Sequence, residues 1–372
     1  MIKKIAGLLS VFALVVMVTG CTFSKSGDSG TDAGAGVSKS EAQKDPQAVL
    51  DDSWTKTADV KSGKGTIAMT FEIESTSGSG NGAINMTIAA DATDETKPVG
   101  DMSMNATLDM GASGKIVLQN TQFRVTGNKL YFNVAGLQVT GDELGGDSIT
   151  ALLASYFNKW FVIDPENAMI KELLASAASS VATSPTESQL TPEEADKMLK
   201  IVSTAKIVTG VTYSTEEKID GVNCVKISFT GLDADGIIAL VEAINTEFGG
   251  VDAAPITAAD KKDMKDSLAA IQAAGSFWVG KDDGLLRKID LSLAMEQDGD
   301  KGNIGIVATM TDLNKAVTVV QPAGAQDFME VITPYLGALG GSSGYDTTDY
   351  TDYTDYSNMT DAELNDLLNS LQ

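Results

Sequence analysis

The residues able to do chemistry in this 372-residue chain are few, and its two cysteines, Cys21 and Cys224, come first among them. The sequence contains no histidine, which excludes a Ser/His/Asp or Cys/His mechanism and a zinc site built on imidazole. Cys224 lies in an alternating strand pattern with no histidine to activate it, so we expect a structural residue rather than a reactive thiol. We therefore expect no enzyme, no metal site and no cofactor.

Cys21 is the last residue of an N-terminal pattern made of a basic start, an apolar stretch and a short motif. Lys3 and Lys4 form a basic start, and residues 5–18 form an apolar stretch that is short for a membrane span, which is typical of a secretory signal peptide. Its end, Val18-Thr19-Gly20-Cys21, resembles the bacterial lipobox. That resemblance implies that residues 1–20 are removed and that the thiol of Cys21 carries a diacylglycerol. The alternative is an ordinary signal peptide followed by a chance cysteine.

The charge of the chain limits its partners. It has 27 Lys and Arg against 51 Asp and Glu, a net charge of −24, and loss of Lys3 and Lys4 with the signal peptide changes this to −26. Such a chain repels phosphate backbones, so nucleic acid is not an expected partner. Anionic lipid would repel it as well, so attachment requires the covalent lipid. We expect a cell-membrane location, lipid-anchored on the extracytoplasmic side.

The composition divides the mature chain into three parts. Residues 21–45 are small and polar and predict a lipid anchor with a flexible tether, residues 46–335 predict a folded domain, and residues 336–372 predict an acidic low-complexity tail. Near the end of the tail, Thr360-Asp361-Ala362-Glu363 forms a capping box. Four leucines at helical spacing follow it and predict a short amphipathic helix, with a frayed tail as the alternative. They are Leu364, Leu367, Leu368 and Leu371.

The central part alternates apolar and polar residues, as in Ile67, Met69 and Phe71, between turns rich in Gly and Asp. This pattern predicts a meander of antiparallel strands with one buried face. Methionine recurs on that face, and its flexible side chain suits a surface that adapts to acyl chains, although a plastic solid core is the alternative. The candidate lining of a hydrophobic pocket consists of Met69, Phe71, Met86, Met102, Met104 and Ile289.

Helix signals interrupt the strands. Caps are predicted at Asp164, Thr191, Asp233 and Thr257, each followed by apolar residues at helical spacing. Each helical stripe needs an apolar surface, and the buried face of the sheet is the large one available. The last strand is predicted at residues 317–320.

Four segments of this chain resemble the LolA-like lipoprotein-carrier superfamily, including its lipidated LppX and LprG branch. They are the Trp-containing strand 159–163, the hairpin 219–227, the Phe-Trp-Val hairpin 277–288, and residues 311–319 followed by Pro322-Ala323. The resemblance implies an α+β fold, an unclosed antiparallel β half-barrel with helices covering its open face.

The resemblance also implies a function. It indicates a membrane-anchored lipoprotein that binds a lipid or other hydrophobic ligand between half-barrel and helices, as a carrier or chaperone. The competing interpretation is a cell-envelope scaffold with a solid core, whose acidic tail contacts an envelope protein partner.

Overall fold

The computed structural model describes residues 36–75, 78–94, 96–141, 154–165, 192–248, 255–297 and 299–331. The predictions for the signal peptide and Cys21, for the helix after Asp164 and for the acidic tail fall outside these residues.

Within the described residues, thirteen strands form one sheet. Their order is β15-β7-β5-β4-β3-β2-β1-β14-β13-β12-β10-β9, with β6 paired to β4, while β8 and β11 form a separate pair. The strands are β1 Ser62–Ser75, β2 Gly78–Asp91, β3 Val99–Asp109, β4 Lys115–Thr126, β5 Lys129–Asn133, β6 Gly136–Thr140, β7 Trp160–Ile163, β8 Val208–Thr209, β9 Thr212–Ile219, β10 Val222–Phe229, β11 Gly231–Leu232, β12 Ile271–Gly280, β13 Leu286–Gln297, β14 Asp300–Thr311 and β15 Gln326–Asp327.

The sheet does not close on itself. Its end strands, β9 and β15, do not pair with each other. Neighbouring strands run antiparallel except β15, which is parallel to β7 over two residues. The prediction of a mostly antiparallel, unclosed sheet is therefore confirmed, with a few helices added to it.

Five α-helices lie wholly within the described residues: α1 Lys39–Lys44, α2 Pro46–Ala58, α3 Pro192–Thr204, α4 Ala234–Phe248 and α5 Ala258–Ala269. A further helical turn begins at residue 328. The predicted starts near Asp233 and Thr257 are confirmed. The Asp233 carboxylate accepts a hydrogen bond from the Gly236 N–H at 3.0 Å. Thr257 forms a full capping box with Asp260.

The described residues include a helix before the expected boundary at residue 46. Helix α1 lies inside the stretch assigned to the tether, and its Ala42 is wholly buried. Ser38 caps this helix through a capping box with Glu41. The Val37 N–H donates to the Lys281 carbonyl at 2.8 Å. The polar composition of this segment gave no sign that α1 packs against the folded domain, because few apolar side chains make the contact.

The sequence pattern also missed α2, for a related reason. Its buried residues are Val49, Leu50 and Ala58 together with two polar residues, Ser53 and Thr57, so no continuous apolar stripe marks it. The Ser53 hydroxyl donates to the Leu50 carbonyl at 2.8 Å, which satisfies the buried oxygen within the helix. The helix lies against the sheet through the Trp54 ring, 5.8 Å from that of Phe277.

Thr57 joins α2 to an irregularity in the sheet. The pairing of β12 with β13 shifts register between Trp278 and Val279. Beside this shift, the N–H of Leu286 donates to the Thr57 hydroxyl at 2.9 Å, and both residues are buried. A buried N–H without a partner costs free energy. The hydroxyl of Thr57 therefore supplies an acceptor where α2 meets the sheet.

The turn at Asp220-Gly221 confirms the predicted tight hairpin between β9 and β10. Both residues have positive φ, 47° and 83°, as expected for a two-residue turn that follows the strand twist.

The predicted strand at residues 317–320 is wrong. This segment is not in a strand. The Val317 N–H donates to the carboxylate of Asp91 at 3.1 Å, and Arg124 donates to the Val320 carbonyl at 3.3 Å. Because Asp91 lies on β2 and Arg124 on β4, the segment crosses strands instead of pairing with one. Side-chain hydrogen bonds hold this segment in place of a ladder of backbone hydrogen bonds. The alternation of apolar and polar residues in the sequence cannot reveal such bonds.

Cys224 lies in β10 and is wholly buried. Burial raises the pKa of its thiol to about 11. An ordinary thiol ionises near pH 9 in the unfolded chain, so the stabilisation from the buried, protonated thiol is complete below that pH. It is lost as the pH rises towards 11.

We predict that Thr57→Val lowers the free energy of unfolding by ~1–3 kcal/mol, because the Leu286 N–H loses its acceptor. Thr55→Val is the matched control, since Thr55 is exposed on the same helix and its hydroxyl donates only to the Asp51 carbonyl. Urea unfolding checks both variants. Equal midpoints for Thr57→Val and the control would contradict this role.

We also predict that Cys224 is inert in the folded protein. In a Cys21→Ala background, where Cys224 is the single thiol, Ellman's reagent at pH 8 should react stoichiometrically in guanidinium but only slowly without it. Rapid stoichiometric labelling under native conditions would show that the thiol is accessible. Cys224→Ala should also flatten the fall in unfolding free energy between pH 9 and about 11.

Candidate hydrophobic ligand site

The face of the sheet that carries Ile67, Met69 and Phe71, called here the inner face, is apolar across most of its width. Directly paired residues of neighbouring strands share a face, so the register traces rows across it. One row reads Phe229, Gly275, Leu291, Ile306, Met69, Ile84, Ala106, Leu118 and Leu137, from β10 to β6.

Burial changes along this row. Phe229, Leu291 and Ile306 are at most 5% exposed and belong to one core cluster with Leu50 of α2. From Met69 onward, every member of the row is only half-buried. We call the inner-face residues of β1–β4 and β6 the open half, and those of β10 and β12–β14 the covered half. The same kind of apolar surface is thus packed at one end and incompletely packed at the other.

The register places all six predicted pocket residues on the inner face. Met86 pairs directly with Met104 and, on its other side, with Ile67. Ile289 lies further along that same row, in the covered half, and is 5% exposed. The other five, in the open half, are half-buried: Met69, Phe71, Met86, Met102 and Met104.

A cavity of about 250 Å³ opens at one end of the open half, where β1 and β3 begin and β2 and β14 end. Of the six predicted residues, Met102 alone lines it. The ring of Phe71 instead lies over Gly82 on β2. The main apolar side chains lining the cavity are Ile67, Ile88, Met102, Phe123, Val125 and Met310.

Glycines lie at inward positions along this cavity, and the space is open above Gly100 but filled by the Leu313 side chain above Gly63. Gly63, Gly65 and Gly100 occupy inner-face positions where side chains would otherwise project, and all three line the cavity. A Cβ added at Gly100 would meet only the Ala89 carbonyl oxygen, at 3.9 Å, so the space above it is open. Glycine in a strand interior often marks close approach by a ligand. That signal was present in the sequence and could have identified the site.

Charged residues flank the cavity, and these pair with one another. Lys64 and Asp312 lie 2.9 Å apart, and hydrogen bonds from Lys315 and Lys64 lower the pKa of Asp312 to about 2. Arg124 and Asp101 form a second ion pair at 3.2 Å. Paired charges of this kind attract a ligand charge weakly, which favours an apolar ligand segment.

Asp91, beside the same cavity, is held in its ionised form. Partial burial acts to raise its pKa, but hydrogen bonds from the hydroxyl and N–H of Thr93 and from the Val317 N–H outweigh this and lower the pKa. Its carboxylate therefore anchors the crossing segment 317–320 next to the cavity.

One wall of the cavity continues into an aromatic cluster. Phe123 pairs with Phe132, which pairs with Phe161, so the three rings share the inner face. The Phe328 ring, just after β15, lies 5.1 Å from that of Phe132 and 6.3 Å from that of Phe161. Aromatic surface thus connects the cavity with the β7 edge of the sheet.

Comparisons with known proteins found relatives only among solved structures. No known family and no curated protein matches the sequence. The chain is similar to LprF from Mycobacterium bovis, with 17% identity, coverage of 78% of this chain and 100% of that one, and a TM-score of 0.32. It is also similar to the lipoprotein LppX from Mycobacterium tuberculosis, with 15% identity, coverage of 74% and 100%, and a TM-score of 0.30.

A third similar structure is a DUF1329 family protein from Desulfovibrio piger, with 11% identity, coverage of 74% and 94%, and a TM-score of 0.18. LppX carries the name of the branch that four segments of the sequence resemble. The TM-scores are low, so a ligand site can be argued only from the geometry of this chain. None of the described helices is long and apolar enough to cross a membrane.

We predict that Gly100→Leu fills the cavity and weakens binding of a neutral apolar dye, N-phenyl-1-naphthylamine, by about tenfold or more, as expected from the loss of one well-buried apolar contact. Fluorescence titration measures the dissociation constant. Gly136→Leu is the matched control, because Gly136 is a strand glycine that does not line the cavity. Unchanged dye binding by a folded Gly100→Leu variant would place the dye elsewhere.

Proposed function

We propose that this protein is an extracytoplasmic lipoprotein, anchored to the cell membrane through Cys21, that binds a lipid acyl chain or other hydrophobic ligand between its half-barrel and its helices. It acts as a carrier or chaperone for that ligand. The observation that carries the proposal is the cavity above Gly100 in an apolar sheet face whose methionines remain only half-buried.

The side chains around the cavity favour an adaptable ligand site. Met86 of β2 pairs with Met104 of β3, Met102 lies two residues away on the same face of β3, and all three are half-buried. Methionine repacks around irregular apolar shapes at low cost. A solid core would be expected to bury these side chains as completely as it buries Ile306 and Leu291.

The size of the cavity limits what enters it. Ligand pockets commonly measure ~300–1,000 Å³, and this one, at about 250 Å³, is near the lower limit. It suits one acyl chain or part of one better than a bulky lipid with several chains. The head group would then remain outside, near the ion pairs of Lys64 and Arg124.

The proposal includes no catalytic activity and no cofactor. It assigns the helices the role of shielding an acyl chain from water, and this part of the proposal comes from the resemblance, since the contacts of α2 are made on the covered half. Attachment through the lipid on Cys21 holds the site beside the membrane that supplies the ligand, because the acidic surface cannot do so.

Native mass spectrometry of protein extracted from its membrane tests the proposal. We expect a bound lipid mass on the wild type and on Gly136→Leu, and loss of that mass on Gly100→Leu. A wild-type protein that carries no lipid, and takes up none from added vesicles, would favour the scaffold interpretation with a solid core.

We predict that Cys21→Ala releases the protein from the membrane, or leaves it unprocessed, with the fold intact. The reason is that attachment depends on the lipid and not on charge. Membrane fractionation with immunoblotting measures both location and length. A variant that is processed to mature length and still membrane-bound would refute the anchor at Cys21.

A further inference from the structure

Thr121 in strand β4 carries a buried hydroxyl that the fold does not use. The residue is 2% exposed, and its Oγ1 has no hydrogen-bond partner among the residues that the structure describes. The buried hydroxyls of Ser53 and Thr57 in α2, by contrast, each have a partner. A buried polar group without a partner costs free energy, so such a group in a native protein calls for an explanation.

A β-bulge in β4 gives Thr121 its orientation. Just before Thr121, the register of β4 against β3 shifts, so that residues 119 and 120 of β4 lie opposite Asn105 alone. Asn120 has a positive φ of 43°, and its N–H donates to the side-chain oxygen of Asn105 at 2.9 Å. The extra residue reverses the alternation of side chains along β4, and Thr121 and Phe123 therefore face inward.

The bulge places the hydroxyl on the inner face next to the ligand site. Thr121 pairs directly with Met104, which pairs with Met86. Phe123, two residues along β4 on the same face, lines the cavity and pairs with Met102. Two residues of a strand span about 7 Å, so an apolar chain that fills the cavity and continues along this face reaches Thr121.

The neighbours of Thr121 on the inner face determine what its hydroxyl can bind. Met104, Leu118 and Phe123 are uncharged, and the methionine sulfur accepts hydrogen bonds only weakly. Met104 is half-buried, and its flexible side chain can move aside for a ligand. A charged ligand group would lose its water here without gaining a counter-charge, whereas an uncharged oxygen would satisfy the hydroxyl proton at low cost.

We propose that Thr121 is a specificity residue of the hydrophobic site. Its hydroxyl donates a hydrogen bond to a carbonyl oxygen carried within the apolar chain of the ligand, so the site prefers such oxygenated chains to plain hydrocarbon chains. This inference rests on the proposed function for the position of the ligand. It adds a polar requirement that the apolar cavity alone does not imply.

The probe is 6-undecanone, an apolar chain with one central carbonyl and no head group to fix its depth in the site. Displacement of N-phenyl-1-naphthylamine measures the dissociation constant of the ketone, and direct titration measures that of the dye. In Thr121→Val, the ketone should bind about three- to tenfold more weakly, as expected for one neutral hydrogen bond, while the dye affinity stays unchanged. Thr107→Val is the matched control, because Thr107 lies on the opposite face of the neighbouring strand β3, and it should leave both affinities unchanged.

Unfolding provides a readout that needs no ligand. Because the Thr121 hydroxyl has no partner within the described structure, Thr121→Val should unfold at a urea midpoint no lower than that of the wild type. A midpoint clearly below those of the wild type and Thr107→Val would show that the hydroxyl serves the fold, and it would overturn the proposal. Equal affinity of the ketone for the wild type and Thr121→Val would overturn it as well.

Failure of this inference is distinguishable from failure of the proposed function. If the wild type and Thr121→Val bind the dye and bind the ketone equally well, the hydrophobic site stands and the role of Thr121 does not. If neither the dye nor the ketone binds the wild type, the hydrophobic site fails, and the role of Thr121 fails with it.

Discussion

Burial of the apolar inner face away from water stabilises this fold, and the chain buries that face only in part. The rest of the structure depends on this incomplete burial. A row of apolar residues crosses the sheet from Phe229 to Leu137, and each such side chain favours burial by about 1.5–3 kcal/mol. Closure into a barrel would bury the whole face, but β9 and β15 remain separate edges. Packing is complete near Ile306 and incomplete beyond Met69.

Helix α2 packs on the covered half of the inner face. Leu50 and Trp54 supply its apolar contacts, and Thr57 accepts the hydrogen bond from Leu286 beside the irregular pairing of β12 with β13. These contacts hold the helix over the covered half. The open half is left with methionines, with glycines such as Gly100, and with a cavity. The covered half of the inner face is thus the half on which α2 is held.

The sequence predicted the strand alternation well, because Met69, Met86 and Met104 follow the period of two that one buried face imposes. It failed for α2, whose buried face includes the polar residues Ser53 and Thr57, and for segment 317–320, which is held by the side chains of Asp91 and Arg124. Within the site it found Met102 and missed the space above Gly100. A cavity depends on which strands meet at one place, and periodicity within one strand does not contain that information.

The most direct measurement is made on the methionine methyl groups. In protein labelled with ¹³C at the methionine methyls, addition of a monoacylglycerol should produce nuclear Overhauser effects from the acyl chain to Met102 first and to its neighbours Met86 and Met104. The buried Met329, at the sheet edge, serves as the internal reference and should show none. Overhauser effects confined to other methionines, or no change in any methionine signal at saturating lipid, would contradict a ligand site on this face.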